Sequence, residues 1–234
     1  IPCAVFLRIG RDEWHRGWNP ALPSGWFSWM WCDRDGDGAP DPDECAPPGP
    51  PYWSSAWCID SEGAIWHRAN SSEQHEKIQR IPLKGFTACG APEWDLAAAE
   101  TMDYPEGLCP GRLVYDAVAD VMFVATGTRI SHKAMGDTLV RFDAFRAGPR
   151  RRTWSVPLPC NDRSVTPDTN YDGGSPMVLR ACGDYVFVAY GFGGRVLVLD
   201  AKTGSRVGLL SADHLFANHA GALDSIWGMS VRRL

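Results

Sequence analysis

The chain has 234 residues, enough to bury a core as one large β domain or two small ones, and a formal net charge of −5. That mild acidity supplies no basic field for nucleic acid, and no apolar run reaches the roughly eighteen residues that a membrane-spanning helix needs. Eight cysteines, at 3, 32, 45, 58, 89, 109, 160 and 182, form an even set without C-x-x-C spacing. This argues against zinc and c-type haem, and for disulfides in an oxidising compartment, extracellular, periplasmic or at the cell surface. The expected pairs are neighbours in sequence: Cys32 with Cys45, Cys89 with Cys109, Cys160 with Cys182. The start at Ile1, with no signal-peptide pattern, suits a processed or trimmed chain.

Six of the eleven tryptophans precede Ala56: Trp14, Trp18, Trp26, Trp29, Trp31 and Trp53. Residues 1–53 are loop-rich, so these rings are hard to bury. Exposed indole faces suit the apolar faces of sugar rings or a partner's side chains, with Trp14 and Trp18 as the leading ligand-binding residues.

Within this segment "CDRDGDGAPDPDEC", residues 32–45, gathers six carboxylates between two cysteines. Read from Asp33 it fits a twelve-residue calcium loop: Asp33, Asp35 and Asp37 at positions 1, 3 and 5, Gly38 at 6, Asp41 at 9 and Glu44 at 12. A hard cation that takes six to eight oxygens is wrapped by a tight turn, so alternate side chains point inward and a glycine takes the sharp corner. Ala39, at position 7, would offer its carbonyl, Asp41 would act directly or through water, and Glu44 would close the site with both oxygens. Prolines at 47, 48, 50 and 51 rule out the second helix of a calcium sensor, and Pro40 has no N–H with which to pair a second loop. The stretch resembles the solitary loops of thrombospondin type 3 repeats, which also set cysteines beside aspartate-rich calcium loops. That resemblance covers about fourteen residues in a single copy. It implies a structural Ca2+ with an affinity of roughly 0.1–1 mM, as in extracellular modules.

Residues 54–234 read mostly as short strands punctuated by Gly, Pro, Asn and Asp, with a helix expected over Pro92 to Met102, where Leu96-Ala97-Ala98-Ala99 occurs. Asn70-Ser71-Ser72 is a glycosylation acceptor in a eukaryotic source. Residues 113–158 and 177–211 each give strand, acidic or glycine turn, apolar strand ending in Gly127 or Gly191, a strand ending in Asp143 or Asp200, a turn and a last strand. A fainter copy runs from 57 to 83, and residues 225–234 would open a fourth. A repeated four-stranded meander predicts an all-β, propeller-like fold behind the calcium-binding segment, the two forming one structural unit; a β-sandwich is the alternative. "VLVLDAKTGSRVG" resembles the outer strands and turn of quinoprotein-like propeller blades, over about 100 residues of the chain. Of the tryptophan-docking pattern of alcohol dehydrogenases in that class, only Trp154 stands in its expected last strand.

For chemistry, His214, His219 and Asp224 lie in a loop-like stretch, and Asp172 in another. Together they would orient a water for hydrolysis or bind a metal. Trp14-His15 and Trp66-His67 point more remotely to a copper site of histidines beside an oxidised tryptophan. H-E-x-x-H, G-x-S-x-G, phosphate-loop and dinucleotide motifs are absent, and "GFGG" at 191–194 reads as a hairpin turn. The sequence thus describes a secreted or surface, calcium-stabilised binding or adhesion module for carbohydrate or a protein partner. The alternatives are a hydrolase or oxidoreductase on the same scaffold, or a subunit of a larger assembly.

Overall fold

A strand covered on both faces needs an unbroken apolar run, and Val121–Thr126, reading VMFVAT, is buried at every position. Around such strands the computed structural model describes residues 4–9, 27–39, 41–46, 56–68, 77–104, 110–127, 130–131, 134–159, 176–191, 195–211 and 231. In chain order the strands are β1 (Ala4–Ile9), β2 (Phe27–Cys32), β3 (Cys45–Ala46), β4 (Trp57–Ile59), β5 (Ile65–Arg68), β6 (Lys77–Ile81), β7 (Leu83–Phe86), β8 (Pro92–Trp94) and β9 (Glu100–Asp103). There follow β10 (Arg112–Asp116), β11 (Val121–Thr126), β12 (Ile130–Ser131), β13 (Ala134–Met135), β14 (Thr138–Asp143) and β15 (Arg151–Pro157). The last four are β16 (Pro176–Cys182), β17 (Tyr185–Tyr190), β18 (Arg195–Asp200) and β19 (Arg206–Ser211). Contacts divide the chain into two compact units, Ile1–Ser54 with Glu62–Asp103, and Ser55–Ser61 with Tyr104–Leu234.

In the second unit two four-stranded antiparallel meanders, β10-β11-β14-β15 and β16-β17-β18-β19, repeat one pattern, as the propeller reading requires. The protein is propeller-like and all-β. One core joins the two sheets: Val114, Phe123 and Leu139 of the first meet Leu179, Val188 and Leu197 of the second, all buried. The turns follow from their aspartates. Asp200 ends β18 and accepts the N–H groups of Lys202 (2.9 Å) and Thr203 (2.8 Å) on Oδ1, so the chain reverses through Ala201–Gly204 as the Asp-x-x-Thr-Gly spelling predicts. Asp120 gathers the Tyr115 hydroxyl at 2.8 Å and the N–H groups of Arg146 and Ala147, which ties the β10–β11 turn to the one after β14.

Trp154 of β15 lies where the first meander touches that Asp200 turn. Its Nε1 donates to the Ala201 carbonyl at 3.1 Å, and Arg141 donates to the same oxygen at 2.6 Å. Gly204 has φ +73°, and a Cβ there would stand 2.9 Å from the indole. Glycine is therefore needed twice, for its backbone angle and for the ring's approach.

In the first unit β1, β2 and β3 form an antiparallel ribbon, β5, β6 and β9 a ladder, and β7 and β8 a hairpin. The helix expected over Pro92 to Met102 is absent. That stretch is β8, a turn in which Asp95 accepts the N–H groups of Ala97 and Ala98, and β9. A three-alanine run cannot nucleate a helix alone, whereas Trp94 is buried beside Met30, Ile65 and Ile81 with its Nε1 on the Gly63 carbonyl at 2.7 Å. The fainter repeat departs after β6 for the same reason: β7 leaves to pair with β8, and β9 takes the place beside β6. Apart from Val231, residues 225–234 lie outside the described residues.

Gly204→Ala is expected to lower stability by about 2 kcal/mol or more in urea unfolding, because strain and overlap with Trp154 add. Gly208→Ala, two residues into β19 with open space at its Cβ, is expected to change it by under about 1 kcal/mol.

Candidate functional site

The acidic loop leaves β2 at Cys32 and re-enters the ribbon at β3 through a single 3-10 turn, Pro42–Glu44. Each of its first three aspartates uses one oxygen to turn its own backbone. Asp33 Oδ1 accepts Gly36 N at 2.7 Å, Asp35 Oδ1 accepts Asp37 N at 3.1 Å, and Asp37 Oδ1 accepts Ala39 N at 2.6 Å. Gly36 (φ +85°) and Gly38 (φ +77°) supply the left-handed corners. Position 6 carries the expected glycine, and the corner at Gly36 is an addition. These turns converge carboxylate oxygens of Asp33, Asp35 and Asp37 to within 4.8 Å of one another.

Asp33 is fully buried, and its Oδ2 has no hydrogen-bond partner among the described residues. A buried carboxylate oxygen without a donor costs a few kcal/mol unless something positive faces it. Hard oxygen donors at this spacing suit Ca2+.

Glu44 stands at position 12 of the loop. It is buried, and both its oxygens already accept protein donors: Oε2 from Trp31 Nε1 at 2.8 Å and Asp41 N at 3.4 Å, Oε1 from Arg34 N at 2.6 Å and Asp35 N at 3.4 Å. Burial alone would raise its pKa. The hydrogen bonds from Trp31, Arg34, Asp41 and Asp35 outweigh this and hold it below the ordinary carboxylate range. Glu44 therefore clasps the two ends of the loop together, a role that its place at position 12 does not reveal. Asp41, also outside the Asp33–Asp35–Asp37 cluster, has its pKa raised by desolvation and then by the charges of Asp37, Glu44, Asp43 and Asp35. The acids repel, as the sequence implies. Trp31 is buried as the clasp's donor, so it is withdrawn from any aromatic binding surface.

A cavity of about 290 Å³ lies beside the loop, lined by Met30, Arg34, Lys84, Glu93, Trp94 and Leu96 among others. Its two cations share one acid, with Arg34 at 3.2 Å and Lys84 at 2.9 Å from Glu93. Five cysteines of the described residues, 32, 45, 58, 89 and 182, are thiols. Trp31 is the register partner of Cys45. Successive side chains alternate faces, so Cys32 and Cys45 point to opposite sides of the ribbon, and the pairing expected from their proximity in sequence does not form. The expected partners of Cys89 and Cys182, which are Cys109 and Cys160, lie outside the described residues.

Trp66 and His67 are both buried. The His67 ring nitrogens meet the Arg68 carbonyl at 3.0 Å and Gln79 Oε1 at 2.8 Å, and burial lowers its pKa. It is a satisfied core histidine, which removes it from a copper site. Trp14, Trp18, Asp172, His214, His219 and Asp224 lie outside the described residues.

In the second unit β10 lies against both β4 and β16. These strands carry two half-buried guanidiniums. Arg112 and Arg180 each turn Nη1 onto the carbonyl of the preceding residue, at 2.8 Å, and neither has a carboxylate partner among the described residues. Burial, with the Arg180 charge adding to it, pushes Arg112 down to about 10. No sequence motif marked this pair, because strands far apart in sequence bring it together.

The fold and these sites define a propeller-like β protein with a candidate cation loop. No family model matches the sequence, and no curated protein matches it. Among solved structures the chain is similar to Citrobacter koseri AztD (11% identity, TM-score 0.39, over 78% of this chain and 41% of that one). It is also similar to the Pseudomonas aeruginosa periplasmic gluconolactonase PpgL (18%, TM-score 0.41, 78% and 47%). A third is a putative 6-phosphogluconolactonase from Bacteroides fragilis (11%, TM-score 0.38, 82% and 65%). The chain spans less than half the length of the first two. No helix among the described residues is long and apolar enough to cross a membrane.

Because the folded pKa of Glu44 is depressed, its contribution is present above the ordinary value of 4.5 and is lost as pH falls through the lower folded value. Glu44→Gln is expected to cost about 2 kcal/mol at pH 7 and to flatten the loss of stability below pH 4.5, read from urea midpoints between pH 7 and 3.

Proposed function

We propose that the protein is an extracytoplasmic propeller-like module whose acidic loop holds a structural Ca2+, and that it serves as a binding or adhesion module. Asp33, Asp35 and Asp37 would hold the ion, with the Ala39 carbonyl and Asp41 completing the oxygen shell and Glu44 clasping the loop from behind. The observation that carries this reading is Asp33 Oδ2, an acceptor buried without a donor among the described residues, on a carboxylate that has an oxygen within 4.8 Å of two further carboxylates. The similarity of the loop to thrombospondin type 3 repeats supports calcium at millimolar concentration, and the even cysteine set supports an extracytoplasmic setting. Trp14 and Trp18 are the surface proposed for a carbohydrate or protein partner.

In the chelated protein, 10 mM Ca2+ is expected to add about 2 kcal/mol of stability, and terbium should luminesce through Trp31 and be displaced by calcium. Asp33→Asn should abolish both responses. A melting temperature unmoved by calcium, with no terbium signal, would overturn the reading. Trp14→Ala with Trp18→Ala should abolish glycan-array binding at an unchanged melting temperature.

A hydrolase on this scaffold is the second reading, favoured by Arg112 and Arg180, a cationic pair on contacting strands with no carboxylate partner among the described residues. Two guanidiniums suit the carboxylate or phosphate of a sugar-acid lactone, the class that the gluconolactonase and the 6-phosphogluconolactonase act on by name. His214, His219, Asp172 and Asp224 would then activate the water. Under this reading Arg112→Met lowers hydrolysis of a gluconolactone at least tenfold, followed by acid release, and a wild-type rate equal to buffer rules it out.

A further inference from the structure

Cys32 closes β2 immediately before the loop, and Cys89 lies in the turn between β7 and β8. Each thiol is bonded to the backbone beside the other. Cys89 Sγ donates to the Asp33 carbonyl at 3.1 Å, one residue from Cys32, and Cys32 Sγ donates to the Pro92 carbonyl at 3.3 Å, three residues from Cys89. The loop also presses on this turn, since a Cβ built on Gly36 would lie 3.1 Å from Cys89 Cβ. The other thiol next to Cys32 in sequence, Cys45, faces the opposite side of the ribbon. A thiol is a weak donor, so little is lost when two S–H···O contacts are exchanged for a bond.

We propose that Cys32 and Cys89 form a disulfide that ties the root of the acidic loop to the β7–β8 hairpin. The half-buried Cys89 thiolate attacks a disulfide-bearing oxidant and releases one thiol from it. The buried Cys32 thiolate then displaces the second thiol from Cys89. Two S–H bonds are lost and one S–S bond forms, the two electrons reduce the oxidant's disulfide, and its two released thiolates take up the two protons. The bond fixes the residue before Asp33 whether or not the loop takes an ion.

The full chain, equilibrated with oxidised glutathione, alkylated and cut with trypsin and a glutamate-specific protease, should yield one linked pair, residues 17–34 with residues 85–93. Cleavage after Arg34 parts Cys32 from Cys45, and cleavage after Glu93 parts Cys89 from Cys109. Recovery of both cysteines alkylated, or of Cys32 joined to Cys45 or Cys89 to Cys109, overturns the proposal. Stability gives an independent reading. Cys32→Ser, Cys89→Ser and the double variant should each lower the melting temperature of the oxidised protein by the same amount, roughly 5–15 °C. Losses that sum in the double variant overturn it. A mapped link without calcium uptake would refute the calcium reading alone, and calcium uptake without the link would refute this one alone.

Discussion

The acidic loop is governed by the desolvation of negative charge. Asp33 and Glu44 are both buried, yet they are treated in opposite ways. Glu44 receives one indole and three backbone N–H donors, so its charge is satisfied by the protein itself. Among the described residues Asp33 receives one donor on one oxygen and none on the other, and Asp35 and Asp37 bring more negative charge towards it. Coulomb repulsion among close carboxylates grows as water is withdrawn, so such a cluster is stable only if its turns are held from outside or a cation sits within. The Glu44 clasp and the glycine corners are the outside restraint.

The same economy of local turns and distant partners runs through the second unit. Asp116, Asp120 and Asp200 each satisfy the backbone of a tight turn with a carboxylate, which leaves the strands free to be apolar on both faces. Two such meanders then share one core, and the Trp154–Gly204 contact fixes how closely they approach. Packing of this kind brings β10 against both β4 and β16, and there Arg112 and Arg180 stand near one another with no carboxylate partner among the described residues. A cation pair in that position is a cost to folding, and an anion would relieve it.

Some of the loop was legible because its signal is local. The aspartate spacing, Gly38 and the Asp-x-x-Thr-Gly turn at Asp200 all work within a few residues, where hydrogen bonds to the adjacent backbone leave few conformations open. The helix expected over Pro92 to Met102 shows the limit: three alanines favour a helix weakly, and burial of Trp94 against residues some 30 and 60 positions away outweighs them. Trp31 and the Trp66-His67 pair read as surface and metal-site residues respectively, and became core residues for the same reason, since a chain gives no sign of which aromatic rings its other strands will cover. The faces of Cys32 and Cys45 were set by strand register, not by the number of residues between them.

The repeated meander, the all-β class and the acidic turn can be read along the chain, because each arises from periodicity or from side chains bonding to neighbouring backbone. That Glu44 clasps the loop, that Cys89 lies against its root, and that Arg112 and Arg180 come together emerge only when the strands assemble. Those outcomes depend on which distant strands pair and in what register, and a one-residue change of register would turn Arg112 or Arg180 to the other face of its sheet.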